Sequence, residues 1–212
     1  MTRKTTAPRL ARRAGLLAAL ASVALAVAPA AGSAKAPVKF GSKLNPTVQP
    51  SNSLPGLDCG QEAAGPCTMV QNEAYGRPDG GERAPRSGTI RRIRVIAGGP
   101  GSFKLQVAKV KRSTQNGTHR ARVVYGGPRI SYQGQTEANF ESDRYRVESF
   151  KVNVPIRKGQ QLALRGNLSS MLRCSSGGNN TLLYTPPLLR RGPFTPASDT
   201  DGCWLLMEAV IR

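Results

Sequence analysis

The chain is short of the residues on which most enzymes depend. Its 212 residues include one histidine, four cysteines and 12 acids, and the aromatics are one Trp, five Tyr and five Phe. A hydrolytic triad needs a nucleophile, a histidine base and an orienting carboxylate. His119 lies instead in "STQNGTHRARVVY", beside a turn and Arg120, and no serine occupies a G-x-S-x-G elbow. It reads as a surface histidine at the start of a strand. Cys59 and Cys67 have seven residues between them, whereas paired zinc ligands are usually about two to four apart. There is no C-x-x-C, which excludes a thioredoxin-like redox site. No metal or cofactor is expected from this composition.

Long apolar runs are missing too, apart from one at the start. Arg3, Lys4, Arg9, Arg12 and Arg13 make a basic leader without acids; Gly15 to Val27 is apolar except for Ser22, and "APAAGSA" follows. That order is the order of a secretory signal peptide. Its apolar core of 13 residues falls short of the roughly 20 that a membrane span requires. Cleavage fits after Ala30 or after Ala34, the latter preferred, and Arg12–Arg13 also permits the twin-arginine route. The expected organisation is a cleaved signal over residues 1–34 and one domain over residues 35–212. The mature chain is expected to be secreted or held at the cell envelope, with no membrane span.

What the chain has in quantity is turn residues, 23 Gly and 16 Pro, separated by short stretches of period-two alternation. "TIRRIRVIA" (Thr89–Ala97) puts Ile93 and Val95 on one face, "GGPGS" (Gly98–Ser102) reads as a turn, and "FKLQV" (Phe103–Val107) follows. Together they read as a hairpin with a five-residue loop. Val110 breaks the parity of that second strand, which predicts a bulge near Ala108. "YRVESFKVNVPIRKGQQLALRG" (Tyr145–Gly166) holds two more strands around Pro155–Gly159, and "GCWLLMEAVIR" (Gly202–Arg212) reads as a central strand. Shorter candidates are Val38–Leu44, Cys67–Ala74, His119–Tyr125 and Thr181–Thr185, while Asn45–Asp58, Tyr75–Pro85 and Leu189–Gly202 read as long loops. About eight or nine strands spaced by turns predict an all-β, antiparallel β-sandwich or barrel.

The short motifs in these strands carry a resemblance. "FGSKL", "QPSN", the Cys59…Cys67-Thr68 pair, "AP..GTIRRIRV", "VNVPIRKGQQLAL" and "LLMEAVI" resemble a family of secreted actinobacterial proteins with jelly-roll or galactose-binding-like sandwiches. The resemblance spans most of residues 38–211. It implies a single jelly-roll-like sandwich and export, and it transfers no active site.

Export exposes the cysteines to an oxidising milieu, where an even count favours disulfides. Four cysteines allow three pairings, of which Cys59–Cys67 with Cys174–Cys203 is the most economical. Chain entropy gives about 2.6 kcal/mol for the first bridge and about 3.6 kcal/mol for the second. Charge is the other abundant feature, with 31 Lys and Arg against 12 Asp and Glu. Removal of the five leader cations lowers the net charge from +19 to +14. A solvated arginine-rich face is the plain reading; a contact with a cell-wall polyanion or glycan is the functional one. Arg92, Arg94 and Lys104 form the candidate anion-contacting face, because a β-hairpin would bring them together across its two strands. Nucleic acid fits less well, since the 11 aromatics show no interleaved stacking pattern.

Acid chemistry is thinly represented. Glu137, Glu141 and Asp143 in "EANFESD" could serve an extracellular polysaccharide-active enzyme only if two of them faced each other across a bond. They also serve as counter-charge for Arg144 and Arg146. "SDTDG" (Ser198–Gly202) is a fragment of a calcium loop without its distant ligands, and reads as a turn. The sequence thus favours a secreted, non-catalytic binding module, with an extracellular enzyme or a purely structural envelope protein as the alternatives.

Overall fold

The computed structural model describes residues 36–50, 66–112, 118–166, 171–174 and 178–212. These belong to one compact unit, Lys35–Arg212. Its strands are β1 (Val38–Gly41), β2 (Cys67–Gln71), β3 (Gly88–Val95), β4 (Gly101–Arg112), β5 (His119–Tyr132), β6 (Glu148–Ile156) and β7 (Gln161–Gly166). Then follow β8 (Leu172–Cys174), β9 (Thr181–Tyr184), β10 (Thr195–Pro196), β11 (Asp199–Asp201), β12 (Cys203–Leu205) and β13 (Met207–Ile211). The one α-helix among the described residues, α1 (Glu137–Glu141), is a single turn after Thr136.

Four pairings nest inside one another. β1 pairs with β13, β2 with β7, β3 with β6 and β4 with β5, all antiparallel. The chain therefore doubles back as one long two-stranded ribbon. Rolling that ribbon brings β13 against β3 and β4 against β7. A small sheet of order β1-β13-β3-β6 then faces a large one of order β10-β5-β4-β7-β2-β9-β11, with β8 and β12 as a separate pair. Nested pairs distributed over two sheets are the jelly-roll arrangement. Thirteen strands are found among the described residues where about eight or nine are expected: eight form the nested pairs, and β8 to β12 are short additions between β7 and β13.

Alternation explains which side chains fill the roll. Ile93 and Val95 from β3, Phe103, Leu105 and Val107 from β4, Leu162 and Leu164 from β7 and Met207, Ala209 and Ile211 from β13 share the core between the sheets. A second apolar layer covers part of the outer face of the large sheet. There Val70, Ala108, Val123, Ala163 and Tyr184 pack beneath Leu188. This layer explains the parity break anticipated near Ala108. The register shifts between Val107 and Ala108 because β5 carries the extra residue, Val124, while Ala108 and Val110 turn to the outer layer. A similar shift at Arg91 in β3 allows Ile90 and Ile93, three residues apart, both to face inward.

One expectation is corrected. β3 and β4 do not form a hairpin: they lie in different sheets, and residues 96–100 carry the chain across the sandwich. An arch between sheets and a hairpin within one need the same turn residues, so "GGPGS" fits both. β13 is an interior strand, flanked by β1 and β3, as the apolar "LLMEAVI" suggests. Pro155 sits in β6, an edge strand, where a missing N–H is tolerated. "SDTDG" is not a turn: β11 pairs with β9, and the Asp201 carboxylate accepts the Cys203 N–H at 2.6 Å.

Candidate functional site

The split between sheets takes the expected anion face apart. Arg92 and Arg94 lie on the outer face of the small sheet, while Lys104 lies on the outer face of the large one. Arg92 is exposed, with Val210 and Lys151 as its cross-strand neighbours. Arg94 donates to the Glu208 carboxylate, as does Arg77 at 2.8 Å, and the Lys39 ammonium stands 3.6 Å away. The Glu208 side chain is 3% exposed. A carboxylate at that depth requires charged partners to offset its lost hydration. Arg77 comes from the long Tyr75–Pro85 segment and also donates to the Gly41 carbonyl, so this cluster pins a loop onto the small sheet. Arg94 is thus part of a structural lock.

Lys104 has different company. It stands directly opposite Arg129 of β5 and directly opposite Arg165 of β7. All three side chains are exposed. Cross-strand partners have Cβ atoms roughly 5 Å apart, and like charges in that relation destabilise the sheet. Arg129 donates to the Ser102 hydroxyl at 3.1 Å. No ion pair is formed by Lys104, Arg129 or Arg165 among the described residues. With Pro66, Ser102 and Gly166 the three cations line an open depression of about 630 Å³. Sequence reading found Lys104 alone. Arg129 and Arg165 lie 25 and 61 residues further along, and only the sheet register brings them beside it.

A second concavity, of about 620 Å³, holds His119 with Glu73, Asp79, Arg83, Arg112 and Trp204 among its lining. Burial first, then the nearby Arg112 and Arg83 guanidinium groups, push the His119 pKa below its ordinary 6.5. The imidazole is therefore neutral at neutral pH. Glu82, buried beside this cleft, accepts from Arg83 at 2.9 Å. Trp204 packs edge-to-face on Tyr75 at 5.6 Å.

Glu137, Glu141 and Asp143 are exposed on and just after α1 and line neither depression. Asp143 accepts from the Tyr145 hydroxyl at 3.1 Å. Arg146 finds its carboxylate in Glu148, at 3.9 Å, rather than in that trio. No group of three or more His, Cys, Asp and Glu suited to a metal ion occurs among the described residues. No helix among the described residues is long and apolar enough to cross a membrane. Cys203 stands opposite Cys174 in the β8–β12 register, and Cys59 lies outside the described residues.

Compared with protein-family models, with curated proteins and with solved structures, the chain matches none.

Proposed function

We propose that this protein is a secreted or envelope-held, non-catalytic module that binds an anionic cell-wall polymer. The observation that supports it is the row Arg129–Lys104–Arg165, three like charges side by side on adjacent strands around one depression. Such a row is unfavourable in the free protein and is relieved when an anion lies between the charges. The signal-like leader, the resemblance of the strand motifs to secreted actinobacterial sandwiches and the excess of 31 basic over 12 acidic residues support the same reading.

The test is sedimentation with purified anionic wall polymer at several salt concentrations. Lys104→Gln/Arg129→Gln/Arg165→Gln should bind at least tenfold more weakly, with a shallower dependence on salt, because fewer counterions are released. Binding by this variant equal to that of the unaltered protein overturns the row as the site, and an unaltered protein that does not sediment with the polymer even at low salt refutes the proposal. Binding by the unaltered protein that is insensitive to salt points instead to a neutral-sugar pocket.

A further inference from the structure

The far end of the β4–β5 ribbon repeats the charge pattern on its other face. Lys109 stands opposite Arg122, and Lys111 opposite Arg120. By the alternation of β4, Lys109 and Lys111 share the face opposite to Lys104, Ala108 and Val110. From Lys109 to Arg122 inclusive the sequence holds five Lys and Arg and no acid. Lys109, Lys111 and Arg120 are exposed, and none of these four cations forms an ion pair among the described residues. Two adjacent rungs of a β-ribbon thus each present one ammonium and one guanidinium.

Phe194 organises them. The Lys111 ammonium lies 4.4 Å and the Arg122 guanidinium 4.7 Å from its ring centroid, while Arg120 donates to its carbonyl at 2.9 Å. β10, immediately after Phe194, is hydrogen-bonded to β5 at Ala121 and Arg120, which fixes the ring beside the ribbon. Three of the four long side chains are therefore held in place before any ligand arrives. That reduces the ordering cost of binding, and an aromatic face tolerates cations without neutralising them.

From this arrangement we infer a second polyanion contact, a basic arm formed by Lys109, Lys111, Arg120 and Arg122, whose ligand is a linear phosphodiester polymer. Rungs two residues apart repeat at roughly 7 Å along the strand, so the arm suits a flexible chain with one anion per short repeat. A paired ammonium and guanidinium suits a diester's two free oxygens, and arginine prefers phosphate geometry. The inference rests on the reading that the protein binds an anionic polymer. The arm and the Lys104 row occupy opposite faces of the ribbon, so each can be removed separately.

The experiment uses the full mature chain and three probes: poly(glycerol phosphate), a single-stranded oligonucleotide and polyglutamate. Lys109→Gln/Lys111→Gln/Arg120→Gln/Arg122→Gln should bind poly(glycerol phosphate) at least tenfold more weakly. Its slope of log affinity against log salt should be smaller by about 3, from roughly 0.7 per lost phosphate contact. Lys109→Glu/Lys111→Glu places acids opposite Arg122 and Arg120, and should raise the melting temperature while lowering binding. A folded arm variant with unchanged affinity and slope overturns the inference and leaves the Lys104 row standing. Loss in the arm variant with none in the Lys104 row variant supports the arm and overturns the row as the site. Polyglutamate bound as tightly as poly(glycerol phosphate) overturns the phosphodiester assignment, and an oligonucleotide bound more tightly than the wall polymer overturns the envelope as its source.

Discussion

Two residues show how burial decides what a charged side chain does here. Glu208 is buried with three cations around it, Arg94, Arg77 and Lys39. Glu208→Gln keeps the shape and removes the charge, which leaves those cations facing one another and frees the Tyr75–Pro85 segment. The expected loss is about 3 kcal/mol in urea unfolding, typical of breaking one side of a buried ion pair. Arg92→Gln, on the same face but exposed beside Lys151, should change stability by less than about 0.5 kcal/mol. At His119 the sign of a pH effect can be worked out. Its pKa is depressed in the folded protein, so below about 6.5, the unfolded value, the unfolded chain binds the proton more readily. Stability therefore falls as pH drops from 6.5 toward the folded pKa, and is fully present above 6.5. The melting temperature should decline over that window, and His119→Gln should flatten the decline. An equal decline in the variant assigns it to other groups near the cleft, where Glu73, Asp79 and Glu82 also lie.

At the scale of elements, the cysteines set the next expectation. Cys203 and Cys174 are register partners on β12 and β8, and Cys67 opens β2. We propose the pairing Cys59–Cys67 and Cys174–Cys203; peptide mapping of the unreduced protein should recover those two linked pairs. Reduction should lower stability by about 2–4 kcal/mol in urea unfolding. A linked Cys67–Cys203 peptide refutes the pairing. Strand positions were largely legible because period-two alternation depends on local burial: β1, β9 and β13 fall within the stretches expected for them. Partnership was not. Nothing in "GGPGS" says whether its two strands lie in one sheet or in facing sheets, so Lys104 is easily misassigned to Arg92 and Arg94. β5 also runs on through Gly126, Gly127 and Pro128 to Tyr132, past residues that usually end a strand. Two register shifts against β4 accommodate them, and β10 pairs with β5 only at Arg120 and Ala121, well before these residues. The Arg129–Lys104–Arg165 row depends on three distant strands and has no local signal. The arm is different: "KVKR" and "HRAR" lie on either side of "STQNG", and alternating cations so close together in the chain are a local pattern of the sequence.

At the scale of the whole molecule, the excess of positive charge is sorted rather than spread. The small sheet uses Lys39, Arg77 and Arg94 to hold a single buried carboxylate, which fixes the loop that crosses it. The large sheet holds its cations in rows: Arg129–Lys104–Arg165 on one face, then Lys109–Arg122 and Lys111–Arg120 on the other. Self-repulsion penalises such rows, and at physiological salt screening acts over roughly 8 Å. Direct cross-strand neighbours lie inside that distance, so their repulsion persists in ordinary buffers. The stability that tolerates it comes from the apolar layers on both sides of the large sheet, with Phe103, Leu105 and Val107 inward and Val70, Ala108 and Ala163 outward. A sheet packed on both faces can keep unfavourable charge pairs at its uncovered margins. Those margins are where the proposed anionic chain would meet the sheet.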